Sequence, residues 1–168
     1  MGFHSLKDVL QEQLEDLHSA ETQLIDALPK MVQAAHNDQL REAFEHHLEE
    51  TRDHLKRVKE ALGEIGVSSP TEVCMGMKGL ITEGEETIKM GGDPMSSDAA
   101  LIAAAQRIEH YEIAAYGTAR QLAGDCDFDG IRDLMEQTLD EESQADKLLT
   151  KIATGGMFKA GINQQATA

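Results

Sequence analysis

The stretch that decides the fold is AAQRIEHYEIAAY, residues 104–116. It belongs to a longer series of apolar residues spaced three or four apart, which predicts an amphipathic helix with one face in a core. At about 100° per residue, Glu112 falls about 40° from Ile108 on the apolar face, and Glu109 falls about 100° away at its edge. A carboxylate that faces a core is costly unless a charged or hydrogen-bonding group meets it there. The stretch therefore predicts a buried polar site in mid-helix.

The composition of the 168-residue chain indicates a helical protein that attracts cations. Good helix formers dominate, and there are three prolines and no tryptophan. The formal net charge of −16 disfavours nucleic acid and anionic membranes as partners. No apolar run approaches the roughly 18 residues of a membrane span, and the first residues lack the pattern of a signal peptide. Cys74 and Cys126 are far apart and predict reduced thiols, so a cytoplasmic location is expected.

Periodicity and breakers divide the chain into two predicted helical hairpins. Four long helices are expected at about 6–37, 38–65, 97–123 and 130–154, and a shorter one at about 71–90. About 30 residues separate the second long helix from the third, which predicts a crossover rather than a tight turn. Ser5 is the expected N-cap of the first helix, and Ser97 or Asp98 that of the third. Residues 1–154 are expected to form the bundle and residues 155–168 a flexible C-terminal tail.

Each long helix carries a carboxylate on or beside its apolar face. The residues are Glu21 in the first, Glu50 in the second, Glu109 and Glu112 in the third, and Glu142 with Asp146 in the fourth. Any one of them could be an ordinary satisfied polar residue. Four like charges in one core, however, must be protonated, exposed or neutralised by cations.

Two carboxylate-bridged divalent metals would neutralise such a cluster. Ferritin-like di-iron and di-manganese bundles are built this way, and hard oxygen ligands with few nitrogens suit iron or manganese, although zinc is not separated by this argument. The sequence therefore predicts an all-α, ferritin-like four-helix bundle with a short fifth helix in its long crossover. The expected cofactor is two iron ions, with manganese as the alternative.

Two histidines of the second helix are candidate nitrogen ligands. His47 and His54 fall about 40° and 60° from the centre of its apolar face, whereas Glu50 falls about 100° away. The Glu-x-x-His spacing of many di-iron bundles does not occur around the core glutamates. The second helix offers His47 with Glu50, or Glu50 with His54.

Several motifs resemble those of the YciE/YciF-like stress proteins. They are HLEET at 47–51, CxGMxGLI at 74–81, AALIAAAQ at 99–106, EHYEIAAYGT at 109–118 and LDEE at 139–142. The resemblance implies a bundle related to rubrerythrin and manganese catalase, a homodimer, a cytoplasmic setting and a role in stress. It favours His47 with Glu50, rather than His54, as the metal ligands of the second helix. It also implies that Asp146 replaces the histidine of the rubrerythrin fourth helix, where this chain has Ala145.

Three functions are compatible with these features. The first is a dinuclear metal enzyme acting on peroxide or oxygen, which would need an external electron donor because rubredoxin-type cysteine pairs are lacking. The second is iron binding without turnover. The third is a structural stress protein whose bundle only retains the core pattern.

Overall fold

Four long helices in two hairpins form the main body of the computed structural model, which describes residues 2–156 and 159–166. In chain order the elements are α1 Leu6–Ala34, α2 Asp38–Glu64, α3 Met75–Met90, α4 Pro94–Asp125, α5 Asp129–Thr154, β1 Gly155–Gly156, β2 Lys159–Ala160 and α6 Ile162–Gln165. The predicted all-α bundle, with a short fifth helix inside a long crossover, is confirmed.

The helices pair as the connection lengths require. Short connections join α1 to α2 and α4 to α5, and each pair packs together as a hairpin. The two hairpins meet through α1 against α4 and α2 against α5. The crossover at 65–93 carries α3, which packs on α4 and α1.

The core consists of two apolar clusters, one towards each end of the bundle. The first apolar cluster contains Leu24, Leu28, Met31, Leu40, Phe44, Leu101, Ile102, Ile108 and Leu149 among its buried residues. The second contains Leu10, Leu14, Leu17, Val58, Leu62, Tyr116, Ile131 and Met135. Each fully buried large side chain contributes roughly 1.5–3 kcal/mol of transfer free energy. The four long helices therefore have an anchor on both sides of their middle turns.

The start of α1 agrees with its prediction. The Ser5 hydroxyl accepts a hydrogen bond from the Asp8 N–H at 3.2 Å, and the Asp8 carboxylate accepts one from the Ser5 N–H at 2.9 Å. This reciprocal pair is a capping box, and it satisfies backbone donors that the first turn leaves free.

The predicted start of α4 is wrong. Its N-cap is Asp93, which accepts from the Ser96 N–H at 2.9 Å, and Pro94 occupies the first helical turn, where its missing N–H costs nothing. Asp98 is instead fully buried, and its carboxylate accepts the backbone N–H groups of His36 at 2.9 Å and Asn37 at 2.7 Å. Asp98 thereby fixes the α1–α2 turn to α4.

The short helix α3 also begins later than predicted, at Met75 rather than near residue 71. Cys74 is its N-cap, and the Cys74 Sγ accepts from the Met77 N–H at 3.2 Å. Cys74 and Cys126 are free thiols, as predicted. In the part of the chain that the structure describes, no helix combines the length and apolar character needed to cross a bilayer.

The segment predicted as a flexible tail contains regular structure in its described part. Gly155, at φ +74°, turns the chain out of α5, and β1 pairs antiparallel with β2. Ile162 is buried in the first apolar cluster, which gives this segment an anchor that its glycine-rich sequence does not suggest. Residues 157, 158, 167 and 168 of the predicted tail lie outside the described residues.

Candidate metal centre

Polar side chains from all four long helices meet between the two apolar clusters. Those that are buried there and carry a possible metal-ligating atom are Glu21 on α1, His47 and His54 on α2, Glu109 and Glu112 on α4, and Glu142 on α5. Helical spacing places them there, because each lies on the inward face in a middle turn of its helix.

One group contains His47, Glu109, Glu112 and Glu142. One ligand atom from each of these residues lies within 4.8 Å of the others. The His47 Nε2 is 3.4 Å from Glu109 Oε1 and 3.7 Å from Glu142 Oε2. These separations allow the four side chains to bind one cation together.

A second group contains Glu21, His54 and Glu142, under the same 4.8 Å limit. The His54 Nδ1 is 2.9 Å from Glu142 Oε1 and 3.7 Å from Glu21 Oε1. The Glu142 carboxylate thus faces His54 with one oxygen and His47 with the other. A carboxylate shared in this way can bridge two cations.

Most ligand atoms of the two groups lack a hydrogen bond. Among the described residues, the buried atoms without a hydrogen bond of normal geometry include Glu21 Oε2, Glu109 Oε2, His54 Nδ1, both carboxylate oxygens of Glu112 and Glu142, and both ring nitrogens of His47. The two imidazoles nevertheless lie within ion-pairing distance of carboxylates, whereas neither oxygen of Glu112 has such a partner in the described part of the chain. Unpartnered buried groups are costly, and unpaired buried charges more so. Two divalent cations would balance four carboxylates, so the donor set fits a dinuclear site with iron or manganese.

Burial shifts the pKa of three glutamates upwards, and it raises the pKa of Glu109 well above its usual range. It raises the pKa of Glu21 to about 7, although the neighbouring His54 opposes the shift. It also raises the pKa of Glu112 well above its usual range, and the charges of Glu142 and Glu21 add to this effect. These buried carboxyls are therefore protonated at higher pH than an exposed glutamate when no cation is bound.

His47 and Glu142 shift towards their charged forms. Burial opposes the imidazolium of His47, but the charges of Glu109 and Glu142 outweigh it and raise the pKa of His47 to about 10. Burial likewise opposes ionisation of Glu142, yet His47 and His54 hold its pKa below the usual value. Imidazolium groups therefore supply the positive charge that metal ions would otherwise bring.

Neighbouring side chains hold the second group in place. The Tyr116 hydroxyl donates a hydrogen bond to Glu21 Oε1 and is itself fully buried. On the far side of the His54 ring, Nε2 is 2.9 Å from Glu141 Oε2. The Arg57 guanidinium donates to both oxygens of Glu141, at 2.5 and 3.0 Å, and so orients this carboxylate towards the ring.

A family model described as a domain of unknown function, DUF892, matches residues 5–167. The chain belongs to the DUF892 family. It is 39% identical over 165 residues to Protein YciF of Escherichia coli (strain K12), covering 98% of this chain and 99% of that protein. The resemblance to YciF-like proteins that the motifs indicated is therefore confirmed.

Solved structures agree with this assignment. The crystal structure of the E. coli stress protein YciF matches with a TM-score of 0.85 at 39% identity, over 89% of this chain and 94% of that one. YcfI from Rhodopseudomonas palustris matches with a TM-score of 0.86 at 36% identity, over 89% and 96% of the two chains. A protein from Xanthomonas campestris pv. campestris shares the fold, with a TM-score of 0.69 at 21% identity over 88% and 91%.

Five of the seven predicted site residues of this DUF892 protein lie together: Glu21, His47, Glu109, Glu112 and Glu142. The structure places the other two at the periphery. The side chain of Glu50 is 26% exposed, and its Oε2 lies 3.6 Å from the His47 Nδ1. Asp146 is 20% exposed and accepts from the Gln106 side chain at 2.9 Å, with the exposed His110 ring 3.4 Å away.

The motif resemblance ranked His54 below His47 and Glu50 as a candidate metal ligand, but the structure buries His54 in the second group. The resemblance favoured His47 with Glu50 instead, whereas the structure buries His47 and His54 on opposite sides of Glu142. Helical spacing offered a signal for His54, because it falls about 60° from the centre of the apolar face of α2, whereas Glu50 falls about 100° away. His47 and Glu109 are further donors, and both belong to the first group.

Proposed function

We propose that this DUF892 protein is a dinuclear iron or manganese carboxylate protein of the stress response that acts on peroxide or oxygen. One observation carries the proposal: Glu142 is shared by two buried groups of carboxylate and imidazole side chains. The relative YciF of E. coli is described as a stress protein, which supports the context. A cytoplasmic homodimer supplied by an external electron donor completes the proposal.

The residues divide the work between two metal positions. His47, Glu109 and Glu112 would hold one metal, Glu21 and His54 the other, and Glu142 would bridge them. Iron or manganese bound there would supply a redox-active centre for an oxidant. The chain itself orients the ligands through Tyr116 and Glu141 and excludes bulk water by burying the ligand side chains.

Metal content of a Glu142→Gln variant tests the proposal. After removal of metals with a chelator and reconstitution with Fe²⁺ or Mn²⁺, the wild type should bind two ions per chain. Because the bridging residue contributes to both positions, Glu142→Gln should lower the content of both ions together. Asp140→Asn is the matched control, since Asp140 is an acidic residue two positions away on the exposed side of α5 and its substitution should leave the content unchanged.

Two outcomes would count against this function. Fewer than one ion per chain in the reconstituted wild type would exclude a dinuclear centre. Oxygen consumption that stops after one stoichiometric oxidation of bound iron would indicate iron binding without turnover.

A further inference from the structure

A chain of metal-ligating atoms runs from the surface of α2 to the buried centre. Its outer end is His46, whose side chain is 71% exposed and whose Nδ1 lies 3.1 Å from Glu50 Oε2. The same oxygen lies 3.6 Å from the Nδ1 of His47. Position 50 is a surface neighbour of both 46 and 47, because residues three and four apart on a helix lie beside one another. One carboxylate oxygen therefore faces two imidazoles where α2 meets solvent.

The ring of His47 connects this surface group to the interior. Its Nδ1 faces Glu50, while its Nε2 lies 3.4 Å from Glu109 Oε1 and 3.7 Å from Glu142 Oε2. The side chain is only 7% exposed, and neither nitrogen has a hydrogen-bond partner among the described residues. A buried imidazole, whose nitrogens have carboxylates within ion-pairing distance but no hydrogen bond of normal geometry, thus lies between a carboxylate on each side.

A pocket of about 250 Å³ opens beside these residues, between α2 and α5. Its lining includes His46, His47, Glu50 and Glu109, so it extends from the surface pair to the first group of the centre. Small side chains such as Ala145 contribute to its walls. The pocket gives a hydrated ion a way to reach His47 without opening the bundle.

Charge favours a cation in this pocket. Two carboxyl groups line it, the His47 imidazolium offsets one negative charge there, and the whole protein carries a formal net charge of −16. A negatively charged cleft raises the local concentration of cations and their association rates, and it repels anions. Imidazole together with carboxylate oxygen is also a donor set that divalent iron and manganese accept.

We propose that His46, Glu50 and the Nδ1 of His47 form an outer binding site for a divalent cation, from which the ion passes along His47 to the buried centre. This proposal rests on the proposed function, because it needs a centre that takes up metal. The transfer is a ligand exchange without a change of oxidation state. The ion gives up His46, Glu50, the Nδ1 of His47 and bound water, and it gains the Nε2 of His47 with Glu109, Glu112 and Glu142. The protons that His47 carries in the metal-free protein pass to solvent.

The rate of Co²⁺ uptake by the metal-free protein tests the outer site. Stopped-flow absorption would follow the visible bands of Co²⁺ as the ion becomes bound in the centre. Glu50→Gln should slow uptake by about tenfold, the low end of the effect of focused charge on association rates. The final number of ions per chain should not change, because Glu50 lies outside the two buried groups.

Glu49→Gln is the matched control. It removes the same charge from the neighbouring position, where Glu49 is exposed and pairs with Arg52. Its uptake rate should equal that of the wild type. Ala43→Leu is a second variant, which narrows the pocket without removing a charge and should also slow uptake.

The outcomes separate this inference from the proposed function. Equal uptake rates for Glu50→Gln and Glu49→Gln would overturn the outer site while leaving the centre intact. A lower final content in Glu50→Gln would also overturn it, because Glu50 would then belong to the centre. A wild type that takes up no Co²⁺, Fe²⁺ or Mn²⁺ would overturn the proposed function and this inference together.

Discussion

His47 and His54 lie on opposite sides of Glu142, so in the proposed dinuclear centre they would serve different metal positions. His54→Gln should reduce the number of tightly bound Mn²⁺ ions from two to one, because only the group with Glu21 loses its nitrogen donor. Electron paramagnetic resonance of the reconstituted protein would show this as loss of the coupled manganese pair and appearance of a single-ion signal.

The control for this prediction is His110→Gln. The His110 side chain is 68% exposed and lies beside Asp146, away from the two buried groups. It should retain both ions and their coupling. If His54→Gln also retained a coupled pair, the assignment of His54 as a ligand would be wrong.

Helical periodicity brings some of the predicted site residues into the buried cluster and leaves others at its periphery. Glu21, Glu112 and Glu142 occupy steps of an apolar stripe, so packing of the stripe carries them inwards. Glu50 lies about 100° from the centre of its face, in the direction where α2 borders the pocket rather than the core. Asp146 lies one turn beyond Glu142 but finds Gln106 on α4 as its partner. The angular position of a residue on its helix gives the direction in which its side chain points. Which groups that side chain contacts depends on the neighbouring helix, which periodicity does not reveal.

Helix α3 packs on α4 at a close contact between Gly76 and Tyr111. A Cβ atom at position 76 would lie 2.9 Å from Tyr111 Cε2. The ring has little freedom to move, because the Tyr111 hydroxyl donates to Asp16 at 2.6 Å and lies 2.9 Å from Cys74 Sγ. The close approach explains why a helix-weakening residue occupies this position.

Gly76→Ala should therefore lower the free energy of unfolding by about 1 kcal/mol. Steric overlap with Tyr111 should exceed the gain of about 0.5–1 kcal/mol that alanine brings to a helix interior. Urea denaturation followed by circular dichroism would measure the difference. Gly79→Ala is the control on the same helix, where an added Cβ has no neighbour within 4 Å, and it should stabilise the protein. Equal stabilisation of both variants would contradict the close contact.

The start of α4 shows why the ends of a helix are harder to predict from sequence than its presence. Ser97 and Asp98 have the composition of an N-cap, but Asp93 followed by Pro94 starts α4 one turn earlier. Asp98 is used instead by the backbone of residues 36 and 37, which are distant in sequence. Local propensity cannot reveal such a partner.

For the whole molecule, the buried carboxyls predict a pH dependence of stability that metal reverses. Burial raises the pKa of Glu21 from about 4.5 to about 7, so its contribution is fully present below pH 4.5 and is lost as the pH rises towards 7. The pKa of His47 is raised to about 10, mainly because Glu109 and Glu142 outweigh burial, and its contribution is lost from about pH 6.5 to 10. Both effects have the same sign.

The metal-free protein should accordingly become less stable between pH 5 and 7, by about 2 kcal/mol from Glu21 alone at about 1.4 kcal/mol per pKa unit. The lowered pKa of Glu142 acts in the opposite direction, but only at more acidic pH. With saturating Mn²⁺ the stability should rise over the same range, because metal binds the deprotonated ligands. Urea unfolding at pH 5, 6 and 7, with chelator or with Mn²⁺, would measure both trends. Parallel curves would show that metal does not bind these carboxyls.

The position of the polar layer between two apolar clusters has a consequence for how this architecture can change over time. The two apolar clusters supply most of the apolar burial that stabilises the fold, and the polar side chains of the middle turns contribute little of it. Donors in the polar layer could therefore be substituted one at a time without removing a side chain from either apolar cluster. The shape of the bundle and the chemistry of its centre thus depend on different sets of residues.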